Sequence, residues 1–146
     1  MSKAKEVKSY KMDANTKSVV NFFEQISKVP RGSGNEAGIR EFLVNWANEN
    51  KFDNNVDETG NVLICVPATK GMENRPTIVL QGHMDMVCEK TPDSEHDFTK
   101  DPIKTIIEGE WLRADKTTLG ADDGVTLSIS MSLVKDPSVN HPNVKL

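Results

Sequence analysis

The sequence predicts an α/β fold, with helices and strands mixed in one domain, and three observations point there. Between residues 16 and 48, apolar side chains recur at helical spacing. From residue 52 to residue 80, the apolar runs shorten to strand length. The chain has 146 residues, 36% of them hydrophobic and 27% charged, which suits one soluble domain with a core.

Taken in order, residues 1–15 are polar and read as a flexible arm, and residues 16–146 as the domain. In Thr16–Val29, the residues Val19, Phe22, Phe23 and Ile26 fall at i, i+3, i+4 and i+7, one stripe of a helix that Pro30 and Gly32 end. Ser33 and Glu36 have capping-box spacing, and Ile39, Phe42, Leu43 and Trp46 carry a second helix to about Asn48. Phe52–Asp57 and Val62–Val66 are predicted strands about a Gly60–Asn61 turn. Thr77–Leu80 is β-branched and apolar, the composition of a strand buried on both faces. A long acidic loop, Lys90–Asp101, precedes a hairpin in which Ile106-Ile107 and Trp111-Leu112 flank Glu108-Gly109-Glu110. Val125–Leu133 alternates apolar and Ser/Thr residues with period two, and periodicity by itself favours a strand there.

A net charge of −4 and a pI of about 5.4 offer no electrostatic attraction for nucleic acid or an anionic membrane, so neither is expected as a partner. No apolar run approaches the roughly 18–20 residues of a membrane span, and residues 1–15 lack the apolar region of a signal peptide. Cys65 and Cys88 stand in unlike settings, which predicts no disulfide and a reducing, cytoplasmic location.

Two motifs carry candidate chemistry. Leu80-Gln81-Gly82-His83-Met84-Asp85 puts a His-x-Asp at the end of a predicted strand, where sites of open α/β sheets form. A neutral imidazole ligates zinc, and a carboxylate two residues on can hold the other ring nitrogen and fix the tautomer. By itself the pattern also describes a loop histidine beside a surface aspartate. Thr117-Thr118-Leu119-Gly120-Ala121-Asp122-Asp123-Gly124 sets paired acids among small residues, where a carboxylate can approach a second group closely. The same pair could instead cap a helix and complement its dipole. His96 reads as a solvated surface residue, His141 as structural or exposed, and Cys88 as packing.

Together, LQGHMDMV, HDFTKDPI, GEWLRADKTTLGADDG and, more loosely, PRGSGNE resemble the M20 family of metallopeptidases, in its aminoacyl-histidine dipeptidase branch, from about residue 16 to the end. The resemblance implies the N-terminal part of a zinc-aminopeptidase-like catalytic domain, a mixed sheet flanked by helices. It implies a pair of Zn²⁺ ions, or Co²⁺ or Mn²⁺ in their place, clamping water and the scissile carbonyl of a dipeptide. Carried over, His83 ligates one metal, Asp85 is the catalytic residue whose carboxylate orients His83, and Asp122 bridges the metals, while Asp123 is a neighbour. It also implies a helix after Gly124, in preference to the period-two strand, and a homodimer formed through an inserted lid domain.

The family's Glu-Glu pair, a later acid and a late His have no counterpart here, since the adjacent acidic pairs are Asp57-Glu58 and Asp122-Asp123. The expectation is therefore an incomplete, inactive fragment. Its reading frame is expected to continue past Leu146 to a Glu-Glu pair, because His141–Leu146 reads as a turn and the start of a strand. A non-enzymatic binding or regulatory module that kept the fold is the alternative.

Overall fold

The computed structural model describes residues 11–146. Helix α1 spans Ala14–Ser27 and α2 spans Ala37–Glu49. Strands β1 (Asp53–Val56), β2 (Val62–Val66) and β3 (Ile78–Val79) follow, then β4 (Thr105–Glu108), β5 (Trp111–Ala114), α3 (Ala121–Lys135) and β6 (Val144–Lys145). The part of the expected arm that covers residues 1–10 lies outside the described residues. Of the rest, only Ala14 and Asn15 are corrected: α1 begins at Ala14 because Asp13 is its N-cap, its carboxylate accepting the Thr16 amide at 2.8 Å.

The four-stranded sheet has the order β1-β2-β6-β3 and is mixed. β1 and β2 pair antiparallel, with Asn54 opposite Ile64, as do β2 and β6, whereas β3 and β6 run parallel. β4 and β5 form a separate hairpin. The terminal strand is thus not an edge, for Val144 pairs with both Val66 and Ile78. The expectation that Thr77–Leu80 is buried on both faces is corrected. β3 is itself the edge, and Ile78 and Val79 are 47% and 66% exposed.

Alternation along β2 turns Ile64 and Val66 inward, where they meet Ile26, Ile39, Leu43, Trp46, Met131, Val134 and Val144. Phe22 and Phe52 meet the Trp46 ring edge-on at centroid distances of 6.3 and 5.7 Å.

Beyond a break at Asp122 and Asp123, whose backbone is not helical, the chain from Gly124 to Lys135 is a helix, as the resemblance implies and the period-two pattern does not. The reason lies in the serines. Ser128 is fully buried and donates its hydroxyl to the Gly124 carbonyl one turn back at 2.7 Å, while Ser132 reaches the Ser18 hydroxyl on α1 at 2.8 Å. Small side chains whose hydroxyls are satisfied within the helix pair let α3 lie close against α1, beside the core residues Met131 and Val134. Among the described residues, no helix is long and apolar enough to cross a membrane.

Candidate active site

The loop after β3 folds so that His83 and Asp85 meet: Nδ1 of His83 lies 2.8 Å from an Asp85 carboxylate oxygen and 3.1 Å from the Asp85 carbonyl. These contacts assign the Nδ1 proton to a donor role and leave Nε2 facing outward. Nε2 lies 3.0 Å from Oδ1 of Asp122, 39 residues further along the chain. The three predicted residues are therefore brought together, with the imidazole between two carboxylates.

Two backbone seams make this meeting possible. Residues 89–91 run beside 116–118, with Thr118 N donating to Glu89 O at 2.8 Å and Thr91 N to Lys116 O at 3.0 Å. That seam delivers Gly120–Asp122 to the histidine loop. On the other side Met86 N donates to Arg31 O at 2.9 Å, and Ser33 N to Met86 O at 3.3 Å. The expected capping box is corrected here. The α2 N-cap residue, Glu36, makes no side-chain cap bond, its carboxylate accepts the Gly34 amide, and the Ser33 hydroxyl donates to Oδ2 of Asp85 at 2.5 Å. A tertiary acceptor has taken the hydroxyl that local spacing would give to the helix.

The adjacent acids part company. The Asp122 side chain is 95% exposed and faces His83. Oδ2 of Asp123 lies under Gly82, so close that a Cβ there would come within 2.8 Å of it. The Asp122 carboxylate, accepting from Nε2 of the protonated ring, raises the His83 pKa above its usual value, since it favours the charged form. The Ser33 hydroxyl, with help from His83, holds Asp85 below the ordinary carboxylate range.

A group whose folded-state pKa is lowered adds stability above its unfolded value and loses it as the pH falls through the folded one. Ser33→Ala is thus expected to move the Asp85 pKa up, observable by carboxyl carbon NMR. The variant should be less stable than the parent at about pH 6, the gap closing well below about pH 4 as both forms protonate. An unchanged Asp85 titration would remove Ser33 from the site.

Arg31, which the motif reading passed over, is the largest fully buried side chain and reaches both loops. Its place in Pro30-Arg31-Gly32-Ser33, a lone cation among small residues between two helices, was the available clue. The other candidates fall away from His83. His141 is buried, its Nδ1 2.8 Å from the Pro142 carbonyl, and is structural. His96 is not the solvated residue expected: it packs edge-on against Phe98 at 4.5 Å, with a buried Nε2 that has no partner among the described residues. Both cysteines are free, and Cys88 packs against Gly32. A cavity of about 570 Å³ opens beside His83 and Asp85, between α2, α3 and the sheet.

No family model matches the chain. The cytosol non-specific dipeptidase of Escherichia coli is 46% identical over 121 residues, 83% of this chain and 25% of that protein. The aminoacylhistidine dipeptidase of Vibrio alginolyticus superposes with a TM-score of 0.85 at 42% identity, over 88% of this chain and 26% of that one.

The chain belongs to the M20 peptidase family.

The aminopeptidase PepT of Bacillus cereus shares the fold more distantly, with a TM-score of 0.69 at 25% identity over 88% of this chain and 35% of that one. The expected α/β class, a mixed sheet with helices, is that of these M20 neighbours. The chain spans about a quarter of the length of the two dipeptidases.

Proposed function

We propose that this chain supplies the His83 and Asp122 part of a two-zinc site that hydrolyses dipeptides, those of Xaa-His type included. One observation carries the reading: Nε2 of His83 and Oδ1 of Asp122 converge to 3.0 Å while Asp85 holds the opposite ring nitrogen at 2.8 Å. A carboxylate–histidine pair of this kind orients an imidazole toward a metal, and the exposed Asp122 has a second oxygen with which to bridge. The donor set fits Zn²⁺ in kind, although among the described residues no group of three His, Cys, Asp or Glu side chains is placed to hold one metal ion, where catalytic zinc usually has three protein ligands.

When bound, the metal pair would polarise the scissile carbonyl and lower the pKa of water. The chain's own part is positional. Asp85 keeps the Nδ1 proton in place so that Nε2 offers a lone pair, and Ser33 keeps Asp85 ionised. The names of the relatives, a non-specific and an aminoacyl-histidine dipeptidase, support the substrate class and a cytosolic setting. A homodimer is part of the same proposal.

The deciding assay uses the full-length gene product with a panel of dipeptides. Chelation should abolish turnover, Zn²⁺, Co²⁺ or Mn²⁺ should restore it, and His83→Ala should not be restorable. Turnover that survives both chelation and His83→Ala would refute the metal site. The 146-residue chain by itself is expected to be inactive and to bind Zn²⁺ weakly. Tight stoichiometric binding by calorimetry would contradict the two-ligand count. An inactive full-length product with intact fold would favour a binding or regulatory module.

A further inference from the structure

We infer that Arg31 is a positioning residue whose buried guanidinium holds the His83–Asp85 loop and the Gly120–Asp122 turn at the separation that lets His83 face Asp122. Arg31 is 1% exposed. Its Nη1 donates to the Met84 and Asp85 carbonyls at 3.1 and 3.2 Å, and its Nη2 to the Gly120 carbonyl at 2.6 Å. One rigid, planar group thus binds backbone on both sides of the His83–Asp122 contact. The acceptors on the histidine side flank and include Asp85, the residue that orients the imidazole.

The surroundings are shaped to this cation. Gly120 is left-handed, with φ +73°, and a Cβ there would come within 2.5 Å of Nη2; a Cβ on Gly124 would come within 2.8 Å of it. Burying a guanidinium is costly, the more so here because Nη1 and Nη2 are matched while Nε is buried without a partner among the described residues, and an apolar side chain would fill the same space more cheaply. What an apolar side chain lacks is the reach to two loops at once. Lysine lacks it too, being a point donor where arginine presents a planar fork.

The tie itself does not depend on a metal. Its consequence, that one ion meets both loops together, rests on the function proposed above, and the experiment separates the two. Amide hydrogen exchange is followed by NMR at Met86 and Gly124, beside the tie, and at Ile64 and Leu146, paired to each other in the sheet. In Arg31→Lys, exchange at Met86 and Gly124 should rise roughly tenfold or more, the loss of about one hydrogen bond to a charged group, with Ile64 and Leu146 unchanged. In Arg31→Ala, added guanidinium ion should restore protection and ammonium ion should not.

Wild-type exchange in Arg31→Lys would overturn the inference, as would an equal rise at all four amides, which would mark a general stabilising role. Gly120→Ala, which crowds the guanidinium while keeping it, serves as the same test should the Arg31 variants fail to fold. Mn²⁺ alone is then titrated. In the parent it should broaden the amides of residues 83–85 and 121–123 over one concentration range, and in Arg31→Lys over two separate ranges. No broadening of either loop in the parent would count against the metal reading and leave the exchange result to decide Arg31.

Discussion

Asp122→Asn, made in the full-length protein, is expected to lower dipeptide turnover by roughly 10²–10⁴-fold, the several kcal/mol that a correctly held metal contributes to a transition state. Asp123→Asn is expected to lower it by less than about tenfold, within the roughly 1.4 kcal/mol that a tenfold change represents. The residues are neighbours of the same type, so only geometry tells them apart. The Asp122 carboxylate is exposed and meets His83 Nε2, while Asp123 turns under Gly82. An amide in place of Asp122 keeps the shape but loses the charge that makes a good ligand. Steady-state kinetics and bound-metal content together check the claim. Equal losses in the two variants would show that the ligand has been assigned to the wrong member of the pair.

Phe23→Ala is expected to destabilise the fold by about 3–5 kcal/mol, the range for a phenylalanine removed from a packed core. Phe23 is 1% exposed on α1, and its ring reaches the Gly124 backbone, where a Cβ would come within 3.0 Å of it. On α3 the ring meets glycine, and Ser128 and Ser132 nearby are held by hydrogen bonds, so little can move in to fill the space. Against a typical total stability of 5–15 kcal/mol, the variant should melt roughly 10 °C or more below the parent. A urea-unfolding difference under about 1 kcal/mol would mean that the α1–α3 contact does not carry the fold. The same substitution loosens the turn that presents Asp122, so a metal-binding defect beyond the stability loss is expected in the full-length protein.

Much of the architecture was legible from residues because it depends on near neighbours. The α1 stripe of Val19, Phe22, Phe23 and Ile26, the Val62–Val66 strand and the hairpin about Gly109 each follow from local period and turn chemistry. The His83–Asp85 contact is local too, being two residues wide. Recognising that Asp122 belongs beside them took the resemblance of two whole motifs, since no spacing rule connects residues 39 apart.

Tertiary structure decided the remainder, and each time a distant partner displaced the local one. Ser33 has the spacing to cap α2, yet its hydroxyl serves Asp85, 52 residues away. The serines of α3 alternate like a strand, yet they are buried in a helix because α1 approaches closely enough to favour small side chains. Ile78 and Val79 have the composition of an interior strand, yet they lie exposed at a sheet edge, because burial depends on what packs against a strand as well as on what it is made of. By itself the sequence determined most of the elements and singled out His83, Asp85 and Asp122 as candidates. Only the tertiary structure decided which carboxylate faces His83 and that a single buried arginine joins the two loops, because hydrogen bonds between segments far apart in the chain leave no period to read.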